Sequence, residues 1–254
     1  MTAHAPPRPS RARLRLAAFL IASAAAASPA VAGPPYVTDD PEPTDLGHWE
    51  IYLFGTAGGA RGGWDGAAGA DLNYGAFENV QLTATLPLDL SHASGGATRA
   101  GAGDIELAVK YRFLHQEAAG LDVSVFPRLM LPTAGRRFGT GRVALLLPVW
   151  AQKDFGGWSL FGGGGYTINP GPANRNYWQG GLAVTHVVSE RLSLGGEATV
   201  EGPDSLGGHA TFGFGVGGIV KLGGPFSLLA SGGPVRERRG PDGWRAYAAL
   251  GISF

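Results

Sequence analysis

Reactive side chains are sparse and scattered along this chain. Its 254 residues include six histidines and no cysteine, which excludes a thiolate nucleophile, a disulfide framework and any cysteine metal site. His4, His48, His92, His115, His186 and His209 lie far apart, and neither they nor the acids cluster at zinc-ligand spacing. No metal and no cofactor is expected. A hydrolase needs a nucleophile held against a base. His186 and Ser189 come nearest in sequence, but they border a turn and read as turn and rim residues. The glycine run from Gly162 to Gly165 lacks the lysine and the following helix of a phosphate loop. The residue types therefore argue against an enzyme.

What the charged residues can do instead is line a wet interior. In residues 104–114, Ile105, Leu107, Val109, Tyr111 and Phe113 share one face of an extended chain, while Asp104, Glu106, Lys110 and Arg112 share the other. The same alternation recurs along the chain. It assigns Glu50, Tyr52, Asp71, Glu106, Lys110, Arg112, Phe126, Arg128, Arg142, Trp150, Glu197 and Arg245 to an inward, lumen-lining face, with Phe54 and Phe161 among the aromatic members. Both charge signs occur there, so an ion-pair network that fills the interior and a charge-selective pore are both open. Aromatic faces beside Arg112 and Arg128 would suit a phenolate or a carboxylate.

The elements that must position these residues are strands. From Trp49 onward the chain divides into about twelve segments of roughly ten residues with period-2 alternation, the pattern of a membrane barrel. Among them are 49–57, 65–74, 121–131, 142–153 and 226–232. Tight connections at 75–79, 115–120, 154–157, 188–190 and 223–225 alternate with longer ones at 91–103, 132–141, 169–176 and 233–242. A soluble sandwich has no reason to alternate loop lengths in this way; a barrel with short periplasmic turns and long external loops does. Tryptophan, tyrosine and phenylalanine gather near strand ends, as interfacial girdles require. After the first 32 residues no apolar run reaches about 18 residues, so any membrane span must be β. The last segment, 243–254, places Trp244, Ala246, Ala248, Leu250, Ile252 and Phe254 on one face and stops on the phenylalanine. This ending resembles the C-terminal strand of bacterial outer-membrane barrels, and the resemblance implies recognition of Phe254 by the barrel-assembly machinery.

Residues 1–32 read as a cleaved signal peptide. Arg8, Arg11, Arg13 and Arg15 precede an apolar run of about a dozen residues and the small residues Ala30, Val31 and Ala32. Losing those four arginines leaves sixteen basic residues against twenty acidic ones, with no basic excess for nucleic acid. Residues 33–48 mix Pro34, Pro35, Pro41 and Pro43 with Asp39, Asp40, Glu42 and Asp45. Proline bars this stretch from a sheet interior. It reads as a periplasmic arm, solvated in the favoured arrangement and folded into the barrel mouth as a partial plug in the other. Residues 49–254 form the barrel.

Four blocks, YVTDDPEPTDLGHWEIYL, GDIELAVKYRFL, FPRLMLPT and GGGGYTINPGPANRNYW followed by VSERLSLGGE, resemble the outer-membrane proteins grouped as the meta-pathway of phenol degradation family. The resemblance covers most of residues 33–254 and implies a β-barrel transporter, with uptake of aromatic compounds in some members. It identifies no binding residue. The expected protein is thus an all-β, antiparallel, transmembrane barrel of the bacterial outer membrane. Its partners would be outer-membrane lipid, the assembly machinery and a small-molecule solute, but not nucleic acid. Its expected role is passive passage of small hydrophobic or aromatic solutes, the alternative being a structural or adhesion barrel with a sealed lumen.

Overall fold

The computed structural model describes residues 35–60 and 62–254. The expected signal peptide, 1–32, and its cleavage point lie outside the described residues. Fourteen strand segments form one antiparallel sheet: β1 (Trp49–Ala60), β2 (Gly63–Phe77), β3 (Val80–His92), β4 (Arg99–Ala102), β5 (Ile105–Leu114), β6 (Asp122–Val125), β7 (Arg128–Leu131), β8 (Ala144–Phe155), β9 (Trp158–Ile168), β10 (Tyr177–Ser189), β11 (Leu192–Glu201), β12 (Thr211–Gly223), β13 (Phe226–Glu237) and β14 (Asp242–Ser253). β4 and β5 both pair with β3 and make one interrupted crossing. β6 and β7 both lie between β5 and β8 and make another. The barrel therefore has twelve crossings.

The single segment expected over 121–131 is broken at Phe126 and Pro127. Proline has no N–H for the ladder. Its carbonyl still accepts from the Val109 N–H (3.2 Å), while the Phe126 N–H donates to Pro148 O (3.2 Å). The first and last strands close the wall, in register from Glu50 opposite Ser253 to Gly59 opposite Trp244. Trp49 and Phe254 exchange both backbone hydrogen bonds, at 2.8 and 3.0 Å. Closure removes the sheet edges, which hydrocarbon would otherwise leave unsatisfied.

The two faces differ as alternation requires. Leu82, Leu86, Leu88, Leu107, Val109 and Tyr111 point outward and are exposed, whereas Gln81, Thr83, Ala108 and Lys110 between them are buried. An all-round apolar exterior of this kind belongs in lipid. Aromatic pairs mark both rims: Trp49 with Tyr74 (4.7 Å between rings) and Trp158 with His186 (4.2 Å) at the end holding the chain's C-terminus, Tyr166 with Trp178 (4.9 Å) at the other. His186 also bonds Gly157 O through Nδ1 (3.0 Å), which makes it a turn clamp within the girdle.

Loop length departs from expectation at the external connection 233–242. β13 runs further than the segment 226–232, leaving a tight link at 238–241. Arg236 forms a two-pronged ion pair with Asp242 (2.9 Å) and staples this hairpin shut.

Candidate functional site

The lumen is organised around the arm. Residues 35–46 are folded into the barrel, which corrects the favoured expectation of a solvated linker. Thr38, Asp40 and Thr44 are buried. Proline keeps the segment from continuing the sheet, and its one bridge to the wall is a parallel pairing of Leu46 with Gly75. Polar side chains of the wall take up its free backbone groups instead. Glu197 on β11 accepts from the Val37 N–H (3.1 Å), the Thr38 N–H (2.9 Å) and the Thr38 hydroxyl (2.9 Å). Gln81 on β3 accepts from the Thr44 N–H (2.8 Å) and the Thr44 hydroxyl (3.0 Å). The Ser231 hydroxyl on β13 donates to Pro35 O.

Ion pairs complete the seating. Lys110 on β5 contacts Asp39 (3.0 Å), Asp40 (3.5 Å) and the Glu42 carbonyl (3.2 Å). Arg128 on β7 pairs with Asp39 and with Glu106 (3.5 Å). Both cations lie over the Phe126 ring, Lys110 Nζ at 4.8 Å and Arg128 Cζ at 4.4 Å from its centre. The ring thus adds a cation–π contact to each. On the far wall Arg245 pairs with Glu197 (3.0 Å) and donates to Thr199 (3.0 Å). These contacts set the titration of the arm. Burial alone would raise the Asp39 carboxyl, but Lys110 and Arg128 outweigh it and hold it below the usual carboxylate range. Burial pushes Asp40 up to about 6. Burial and the neighbouring charges of Asp40 and Asp154 push Glu42 up to about 8.

Close approach of arm and wall depends on two glycines. A Cβ at Gly181 would collide with Thr38 Oγ1, and one at Gly195 would lie 2.6 Å from the Tyr36 hydroxyl. Wall positions without side chains give the arm its bed.

Beside the arm lies a chamber of about 510 Å³. Its lining includes one cluster of Tyr52, Phe54 and Tyr247 and another of Phe126 with Lys110 and Arg128. Of the residues expected to line the lumen, Glu50, Tyr52, Asp71, Glu106, Lys110, Phe126 and Arg128 meet there. Arg112 sits apart, on Asp122 (3.5 Å). Trp150 and Arg245 flank a void of about 60 Å³ across the arm, and Glu197 lies under the arm. Arg142 is a correction: it precedes β8 in an external loop and is exposed, because the strand begins only at Ala144. Phe161 faces inward but is 1% exposed and packs 6.2 Å from Tyr36, so it supports the arm and offers no face to a solute. Asn73, Gln81 and Tyr247 also line the chamber; alternation puts Gln81 and Tyr247 on the polar, inward face, but none of the three is among the expected lumen residues.

The architecture is that of outer-membrane barrels. An outer membrane channel from Pseudomonas putida F1 superposes with a TM-score of 0.65 at 17% identity, covering 85% of this chain and 98% of that one. The translocator domain of the autotransporter NalP from Neisseria meningitidis gives 0.54 at 16% identity, over 83% and 89%. Neither family models nor curated proteins gave a match to this chain. The likeness fixes the fold, and the chemistry has to be read from the lumen.

Proposed function

We propose that this barrel is a passive, non-enzymatic outer-membrane channel for small solutes, and that those it favours carry an apolar or aromatic ring. The observation that carries the reading is the chamber of about 510 Å³, lined by tyrosine and phenylalanine together with a pair of cations on Phe126. A ring would pack on Tyr52, Phe54 and Tyr247. A phenolate or carboxylate on the same solute would compete with Asp39 for Lys110 and Arg128. Passage then needs no energy source: the solute exchanges one anion–cation pairing for another while the arm yields. The resemblance to the phenol meta-pathway family supports aromatic solutes, and the outer-membrane channel from Pseudomonas putida F1 supports the channel class.

The test is single-channel conductance of residues 33–254 refolded into a planar bilayer, with and without residues 33–47. Discrete steps that benzoate blocks, larger when the arm is deleted, are the expected result. Arg128→Ala should weaken the block by about tenfold, the loss of one charge-assisted contact. The seated ion-pair network favours a second reading, a sealed scaffold whose loops act outside. Silence with and without the arm, with folding verified, would replace the channel by that scaffold.

A further inference from the structure

Two spaces in the lumen meet at one side chain. The chamber of about 510 Å³ extends to Glu50, Asn73 and Gln81, near the periplasmic ends of β1, β2 and β3. The void of about 60 Å³ extends to Gln179, Glu201 and Thr211, at the external ends of β10, β11 and β12. Val37 on the arm lines both, and among the described residues no other does. At about 60 Å³ the void is far smaller than the ~150 Å³ cavity that takes up benzene in an engineered protein core, so a ring entering there has to press on Val37.

Val37 is also unusual in its exposure. Its side chain is 60% exposed, whereas Thr38 and Asp40 just after it are buried. Among the described residues, the other exposed large apolar side chains lie on the lipid face, at the rims or in loops. Nor is Val37 free to turn away. Both carboxylate oxygens of Glu197 accept from its N–H (3.2 and 3.1 Å), and the same carboxylate binds the Thr38 N–H and hydroxyl. On its other side Tyr36 leans on Phe161, with 6.2 Å between the rings. Anchors before and after it thus hold an apolar group out in a wet lumen. A ring laid on that group removes apolar surface from water on both partners, and a carboxylate without a ring gains nothing there.

We propose that Val37 is a specificity residue of the lumen: it contacts the ring of a solute passing between the external void and the chamber, and so favours aromatic carboxylates over carboxylates that lack a ring. This role rests on the channel reading of the lumen. It gives the arm a part in choosing solutes as well as in obstructing them, with Glu197 as the residue that positions the contact.

The experiment uses the absence of cysteine from the chain. Val37→Cys in refolded residues 33–254 carries a single thiol, and the substitution spares the backbone N–H on Glu197. The thiol's rate of reaction with a small methanethiosulfonate reagent is measured in detergent with benzoate, with acetate and with neither, and wild-type conductance is recorded in parallel. Saturating benzoate should slow the reaction by about tenfold, by mass action, and acetate at the same concentration should leave it unchanged. Glu117→Cys, on the exposed turn between β5 and β6, should react at the same rate in all three. A thiol at Val37→Cys that benzoate does not protect overturns the proposal, and so does equal protection by acetate, which would make the carboxylate and not the ring the group recognised. Conductance separates this outcome from failure of the channel itself. A conducting barrel without thiol protection loses Val37 and keeps the channel, whereas protection in a silent barrel keeps Val37 as a ring contact and overturns ion passage.

Discussion

At the residue scale the lumen is governed by a few buried charges with several partners each. Glu197 is the clearest. It holds the Val37 and Thr38 N–H groups, the Thr38 hydroxyl and Arg245 together. Hydrogen bonds to a charged group are worth about 1.5–3 kcal/mol each, and the half-buried Arg245 would lose its counter-charge as well. Glu197→Ala should therefore release the N-terminal end of the arm, read as at least tenfold faster protease cleavage between residues 35 and 46 while the barrel stays resistant. Glu197→Gln keeps acceptor capacity for the arm but loses the charge opposite Arg245, and should fall between wild type and alanine. Alternation marks Glu197 as inward, so half of this chemistry is legible in the sequence. Its partner on the arm is not, because no local pattern relates positions about 160 residues apart.

Elements explain why the arm can approach so closely. Gly181 on β10 and Gly195 on β11 are bare patches of wall under Thr38 and Tyr36. Gly181→Val preserves strand geometry, since valine favours extended backbone, but fills the space that Thr38 occupies. The expected result is a folded barrel with an undocked arm and an enlarged conductance step, unlike Glu197→Ala only in leaving the wall's charges paired. The outward face makes a complementary prediction. Leu107 on β5 is exposed between Glu106 and Ala108. Leu107→Arg places a charge in hydrocarbon and should cost about 2–4 kcal/mol, seen as a lower denaturant midpoint for refolding in lipid vesicles. The sign of alternation was readable throughout β3, β5 and β14. The break at Phe126 and Pro127 was not placed, because a proline within a run weakens a strand without fixing where its pairing stops. Arg142 was misassigned for a related reason: extending alternation two residues past a strand's start treats loop backbone as pleated sheet.

For the whole molecule, one closed sheet with an apolar outside and a charged inside accounts for the composition. Glycine and other small residues thin the wall, while exposed leucine, valine and aromatic side chains cover the lipid face. Fold and closure were legible because every crossing repeats the same signal. The seating of the arm was legible only as one of two arrangements, since proline and acids forbid a strand equally well in solvent and in a wet lumen. Closure runs through the backbone pairing of Trp49 with Phe254. Phe254 is also proposed as the handle for the assembly machinery, so deletion of that residue should reduce the folded, heat-modifiable fraction in outer membranes. In purified detergent refolding, where no machinery acts, the loss should be smaller.

The arm's anchors also impose a timetable. Its contacts reach β3, β5, β7, β11 and β13, with Pro35 and Ser231 separated by 196 positions. Those anchors share a common lumen only after the ring of strands has closed, and contacts at such separation form late. The segment that precedes the barrel in sequence is consequently the last to find its seat. A chain whose wall has closed before the arm docks would hold its lumen charges, Lys110 and Arg128 among them, without the arm's carboxylates.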